Sequence, residues 1–420
     1  MSTDTLALGR LIRAGQSSGI TSICSAHELI IEAALLQAGE DGVDVLIEAT
    51  CNQVNQDGGY TGMTPAGFRD FVYAIAERVD YARSRIILGG DHLGPNPWRH
   101  LPAEAALAKA EDMISAYATA GFEKLHLDCS MGCAGEPNAL SDDVIATRAA
   151  TLATCAEAVA TTQPVYVIGT EVPTPGGAVE ALDHLRPTQP EAVLETYAVH
   201  KAAFRRVAEG AAWKRVIAIV VQPGVEFGHE DVAVYNPTRT RALRATLNEM
   251  PGLAFEAHST DYQPEVALRQ LVQDGFPILK VGPGLTFAYR EALYGLEAIA
   301  AVLRPGTASL SAKMEQLMLA QPKNWQSHYP GTPQEQRILR HYSYSDRIRY
   351  YWPMPEARAA VSRLLETLGD VEIPETLISQ YLPRIYDTLT SRGISAEPRT
   401  LLIEAVRHVL HMYGRATAVV

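Results

Sequence analysis

Residues 124–130 read Lys-Leu-His-Leu-Asp-Cys-Ser. Side chains alternate along a β-strand, so Leu125 and Leu127 share one face and Lys124, His126 and Asp128 the other. The leucines belong against helices, which leaves His126 and Asp128 pointing into a barrel. Short apolar runs of this kind also begin near Ile20, Val45, Ile86, Val165, Val216, Leu253 and Pro277, each ending in a polar or glycine-rich turn. Their mean spacing is about 37 residues, the length of one strand–loop–helix unit. Segments rich in Ala, Leu, Glu and Arg lie between them. In Leu101–Ala120, Ala106, Ala110, Met113, Ile114 and Tyr117 recur at steps of three and four; Pro102 suits the first turn and Gly121 the stop. The pattern predicts an α/β fold, a TIM (β/α)₈ barrel. An open doubly wound sheet would usually begin with a Gly-rich dinucleotide turn, whereas the first run here ends Ser25-Ala26-His27-Glu28-Leu29.

The strand period stops after about Gly306. We assign residues 1–305 to the barrel and 306–420 to a C-terminal helical extension packed on it. Glu356–Leu368 and Ala396–Tyr413 look like amphipathic helices, and the polar stretch Ser327–Gln336 breaks the helical pattern. Hydrophobic residues at 47% and charged residues at 20% exclude a disordered chain. The 36 Lys and Arg against 48 Asp and Glu give a net charge of −12, with no basic run, which argues against a nucleic-acid partner. No stretch approaches the ~18 apolar residues of a spanning helix, so no membrane role is expected. The opening Met1-Ser2-Thr3-Asp4 does not read as a secretory leader, and five scattered Cys read as reduced thiols. A cytoplasmic location is expected.

Polar residues recur at the strand ends. Alternation sets Glu256 and His258 inward after Leu253, and Lys280 inward after Pro277; Glu48, Asp91, His92, Glu171 and Gln222 end other strands. Structural barrels are filled with Val, Ile and Leu, and barrel enzymes place their chemistry at the strand C-terminal ends. Isolated buried charges cost several kcal/mol unless paired or metal-bound. His92, His258 and Glu171 offer two imidazoles and a carboxylate to a divalent metal, Zn²⁺ the first expectation, which can polarise a carbonyl. Asp91, Glu171 and Asp128 are candidate catalytic carboxylates, Asp91 moving a proton to or from a sugar hydroxyl. The turn Val281-Gly282-Pro283-Gly284 resembles a phosphate seat, with Ser259 and Lys280 nearby. Asn52 and Gln53, in the amide-rich loop Cys51–Met63, suit hydroxyl recognition. Arg347, in the aromatic and basic stretch Asp346–Pro353, suits phosphate or sugar.

These segments together resemble one family, the Z subunits of class II D-tagatose-1,6-bisphosphate aldolase from galactitol and N-acetylgalactosamine breakdown. The resemblance runs through Cys24–His27, Leu46–Val72, Arg85–Trp98, His126–Pro137, Tyr166–Gly177, Arg215–Phe227, Glu256–Gln263, Ile278–Ala292 and Ser345–Pro353. It implies a TIM barrel that binds a metal and a hexulose phosphate and supports a catalytic Y-type aldolase subunit; self-association is left open. Some relatives are described instead as stand-alone metal-dependent C4 epimerases of hexulose phosphates. Others carry the label tagatose 6-phosphate kinase, which this chain does not support, since it has no GxxxxGK[ST] loop. Class II aldolases are similar more distantly. Their Asp-His pair after strand three supplies a base and a metal ligand, which Asp91-His92 matches, and His258 matches their later His. Their Asn and Asp on strand eight are replaced here by Lys280 and Gly282.

Overall fold

The structure, a computed structural model, describes residues 18–170, 182, 185–207, 210–369 and 371–418. Its strands are β1 (Ile20–Cys24), β2 (Val45–Thr50), β3 (Ile86–Leu93), β4 (Lys124–Leu127), β5 (Val165–Ile168), β6 (Val216–Val220), β7 (Glu226–Phe227), β8 (Val232–Ala233), β9 (Ala254–Ala257) and β10 (Ile278–Val281). Eight of them close a barrel in the order β1-β10-β9-β6-β5-β4-β3-β2, while β7 and β8 form a separate small hairpin. Each predicted strand start falls within one residue of an observed barrel strand. Helices α1 (Glu28–Asp41), α2 (Pro65–Arg78), α3 (Ala103–Thr119), α4 (Asp142–Val159) and α5 (Pro190–Arg206) lie between the earlier strands. The short α6 (Arg241–Ala245) precedes β9, α7 (Glu265–Gln273) follows it, and α8 (Pro283–Leu303) follows β10.

The two faces of each strand meet different surroundings. Leu125, Leu127, Tyr166, Ile168, Phe255, Leu279 and Val281 join the large core shared with the helices. Val165, Val167, Ile217, Ala218, Val220 and Ile278 form a small apolar cluster of their own. Glu48, Lys124, Glu256 and Lys280 are also buried, and they pair with one another.

Two backbone features make room for that charge. Gly89 sits between Glu48 and Lys124 in the register. A Cβ on Gly89 would lie 2.6 Å from Glu48 Cγ. Its bare backbone lets the Glu48 side chain pass over β3 to reach β4. Further along β3 the register shifts between Gly90 and Leu93, and His92 takes a left-handed φ of 51°. A bulge re-aims side chains, and here both Asp91 and His92 are buried.

Beyond the barrel run α9 (Leu310–Ala320), α10 (Pro333–Tyr342), α11 (Pro355–Gly369), α12 (Glu375–Tyr381), α13 (Pro383–Arg392) and α14 (Pro398–Thr417). Helix α10 begins inside the polar stretch read as a break. Thr332 and Glu335 form a capping box, with Glu335 N–H on Thr332 Oγ1 at 3.3 Å and Thr332 N–H on Glu335 Oε2 at 2.7 Å. Helix α14 packs against α1, α7 and α8, and its Tyr413 hydroxyl donates to the Thr260 carbonyl at 2.7 Å. Among the described residues no helix is long and apolar enough to cross a membrane.

Candidate active site

At the level of Glu48 the barrel holds an ionic lattice. Lys124 Nζ lies 2.5 Å from Glu48 Oε1 and 2.8 Å from Glu256 Oε2. Lys280 Nζ lies 3.1 Å from Glu48 Oε2 and 3.4 Å from Glu256 Oε1, and it touches Asp91 directly. Burial alone would lower the pKa of both amines; the surrounding carboxylates reverse that and raise both. Both amines stay charged, which argues against either as an imine-forming nucleophile. Asp91 is held well below the usual carboxylate range: burial opposes its charge, and His92, Lys280 and the His126 hydrogen bond outweigh it.

Above the lattice three imidazoles face one another. Ring centroids are 5.0 Å apart for His92 and His126, 5.0 Å for His92 and His258, and 5.1 Å for His126 and His258. Each ring spends one nitrogen on a carboxylate. His92 Nδ1 is 2.8 Å from Asp128 Oδ2, His126 Nδ1 is 2.8 Å from Asp91 Oδ1, and His258 Nε2 is 2.9 Å from Glu256 Oε1. Metal-ligating histidines are oriented in this way by outer carboxylates. His126 Nε2 is buried with no hydrogen-bond partner. Burial holds the His126 pKa down and takes His258 to about 3, so both rings are neutral, the ligating form. One donor atom each of Asp91, His126, Glu256 and His258 lie within 4.8 Å of one another. The residues present fit a divalent cation.

The cluster opens into a cleft of about 900 Å³, lined by Cys24, Asp91, His92, His258, Ser259 and Lys280 from the barrel, with Arg349, Tyr350 and Trp352 from the extension. The candidates from sequence fall as follows. His92 and His258 come together, joined by His126, which alternation placed inward without marking it as a ligand. Glu171 lies outside the described residues. Asp128 orients His92 and is held below its usual range: burial opposes its charge, but hydrogen bonds from His92 and Ser130 prevail. Asn52 lines the cleft. Gln53 lines it too, but its amide ties the loop down, accepting from Thr50 N–H at 2.8 Å and reaching the Cys24 carbonyl at 3.4 Å. Ser259 lines it with a left-handed φ of 53°, a conformation that costs a non-glycine residue ~1–3 kcal/mol.

Three of the substrate candidates are already engaged. Lys280 belongs to the lattice. The Gly282 seat is filled by Asp261, whose Oδ1 accepts from Gly282 N–H at 2.9 Å and Gly284 N–H at 2.7 Å. Arg347 donates from Nε to the Asn324 carbonyl, and it is Arg349, two residues on, that lines the cleft. Asp261 and Arg349 gave no separate signal in the sequence.

The family model described as D-tagatose-1,6-bisphosphate aldolase subunit GatZ/KbaZ-like matches residues 7–418. The chain is 53% identical over 420 residues to a D-tagatose 6-phosphate 4-epimerase of Agrobacterium fabrum, covering 99% of this chain and 98% of that one. A solved structure titled as a probable tagatose 6 phosphate kinase from Sinorhizobium meliloti superposes with a TM-score of 0.89 at 56% identity, over 95% of this chain and all of that one. The chain belongs to the D-tagatose-1,6-bisphosphate aldolase subunit GatZ/KbaZ-like family.

Proposed function

We propose that this protein is a metal-dependent epimerase acting at C4 of a hexulose 6-phosphate, working through a reversible aldol cleavage. The observation that carries the reading is the trio His92, His126 and His258, each with one nitrogen on a carboxylate and the rings facing one another. A scaffold has no use for such a buried arrangement. The relative named D-tagatose 6-phosphate 4-epimerase supplies the substrate class. Donor atoms of His126 and His258 lie close enough together to share an ion and the His92 ring faces both, so the three imidazoles would hold it, Zn²⁺ by its taste for nitrogen donors. When bound, a divalent ion polarises carbonyl and hydroxyl oxygens as a Lewis acid.

The chain's own residues do the rest. Asp91 lines the cleft and is already ionised, so it can accept the proton of the C4 hydroxyl. The C3–C4 bond breaks, and its electron pair passes to C3 and into the C2 carbonyl. C4 becomes the aldehyde carbon of a three-carbon phosphate. The aldehyde turns its other face to C3, the bond reforms, and Asp91 returns the proton to the C4 oxygen. Lys280, in contact with Asp91, keeps positive charge beside the group that gains and loses the proton. Asp128 fixes the His92 ring through the whole cycle.

Cleavage and reclosure leave the original hydrogen on C4. Turnover of D-tagatose 6-phosphate in D₂O should therefore give D-fructose 6-phosphate with no deuterium at C4. Deuterium at C4 would show deprotonation of that carbon and refute the aldol route. The family description as an aldolase subunit favours a second reading, support of a catalytic Y-type subunit in galactitol-type catabolism. Co-migration of the two chains on size exclusion, with activity only in the mixture, would favour it. The kinase title of the solved relative finds no nucleotide loop to carry it here.

A further inference from the structure

A sugar phosphate needs an anion site, and the obvious one is taken. The Gly282 and Gly284 N–H groups at the start of α8 already donate to Asp261. A Cβ at Gly284 would stand 3.0 Å from Asp261 Oδ1, so the carboxylate is seated tightly. Two of the other cations around the cleft are also committed, and a third, Arg358, is exposed on α11. Lys280 is ringed by Asp91, Glu48 and Glu256, and Arg399 is bound by Glu32 at 2.6 Å.

Arg349 differs from them. It sits in the 3₁₀ turn Arg347–Tyr351 of the extension and lines the same cleft as Asp91, His92 and His258. Among the described residues no carboxylate lies within ion-pair distance of its guanidinium. Its Nη1 donates to the Ser345 and Asp346 carbonyls, and its Nη2 to the Tyr350 hydroxyl at 2.9 Å. These neutral acceptors fix its direction, while the carboxylates of Asp346 and Asp261 act on its charge through space without pairing with it. Tyr60, from the loop after β2, meets Tyr350 edge-on at 5.0 Å, so that loop and the extension converge beside Arg349.

We propose that Arg349 anchors the phosphate of the hexulose phosphate, so that the extension completes the substrate site that the barrel begins. The assignment rests on the sugar-phosphate reading of the cleft, though not on turnover. A guanidinium suits a phosphomonoester, offering paired N–H donors in a plane. The anchor also serves the chemistry. Cleavage between C3 and C4 leaves the phosphate on the aldehyde fragment, which must turn without escaping. A phosphate held on Arg349 supplies that tether, and binding energy at the phosphate is then spent on orientation at the reacting carbon.

The test compares wild type, Arg349→Gln and Arg349→Lys by calorimetric titration with D-fructose 6-phosphate, D-fructose and inorganic phosphate, with bound metal measured in each. Arg349→Gln should weaken D-fructose 6-phosphate about 10- to 100-fold. It should leave metal content and the weak affinity for D-fructose unchanged. Arg349→Lys should recover part of the loss, and inorganic phosphate should compete for wild type but not for Arg349→Gln. Equal affinity of wild type and Arg349→Gln for the phosphorylated sugar overturns the proposal. So does a parallel loss for both sugars, or a wild type that does not prefer the phosphorylated one. Arg349-dependent binding with no turnover would sustain the anchor while refuting the epimerase reading.

Discussion

Lys124→Met should be among the more damaging single changes in the barrel. The Lys124 ammonium is fully buried, 2.5 Å from Glu48 and 2.8 Å from Glu256. Removing it leaves Lys280 as the one ammonium among Glu48, Asp91 and Glu256. Breaking a buried pair by deleting one partner costs ~3–5 kcal/mol, because a charge is stranded out of water. For 420 residues the unfolding entropy is about 0.9 kcal/mol/K, so the expected fall in Tm is about 3–6 °C. Differential scanning calorimetry with EDTA present measures it without a contribution from metal binding. Stranded carboxylates take up protons, so the loss should be larger at pH 8 than at pH 5. Glu48→Gln in the Lys124→Met background should recover at least half of it, which a double-mutant cycle reads directly. A loss below about 1 kcal/mol, or no relief from Glu48→Gln, would refute the claim that the lattice is held by mutual charge compensation.

Further outcomes follow from the same geometry. His126→Ala and His258→Ala should each lose bound metal, and Asp128→Asn should weaken it ~10–100-fold by releasing the His92 ring; unchanged elemental analysis in all three would remove the imidazole trio as the ligand set. Glu226 has its pKa pushed up to about 7 by burial, which outweighs the Phe227 N–H and Ser259 hydrogen bonds. Its contribution to stability is full below the unfolded value near 4.5 and is lost as pH rises through about 7. Glu226→Gln should therefore gain on wild type by up to ~3 kcal/mol between pH 5 and pH 8, and a pH-independent difference in unfolding free energy would contradict this. Gly89→Ala puts a methyl 2.6 Å from Glu48 Cγ and should cost ~1–3 kcal/mol by overpacking; denaturant titration showing no loss would mean that Glu48 need not cross β3.

The barrel was legible because each strand is a short apolar run closed by a turn, and because period two separates inside from outside. That rule placed Lys124, His126, Glu256, His258 and Lys280 inside, and the structure has them facing one another. It could not see the bulge. Strict alternation would send Asp91 and His92 to opposite faces, whereas a register shift and a left-handed His92 bury both. It could not see that Asp261, 21 residues before Gly282, fills the anion seat, since only the closed barrel brings those loops together. The aromatic and basic stretch was legible as a site, but not which arginine serves it. A 3₁₀ turn has a period of three, and it sends Arg347 to the Asn324 carbonyl and Arg349 to the cleft. The capping box at Thr332 was present in the sequence, masked by the Pro and Gly around it.

The most direct measurement is turnover by the purified chain alone, stripped with EDTA and then reloaded with Zn²⁺, with D-tagatose 6-phosphate followed by NMR. A metal-dependent epimerase should give D-fructose 6-phosphate when reloaded and none when stripped. Conversion that survives stripping, or a metal-loaded chain that leaves the substrate untouched until a second subunit is added, would contradict that reading.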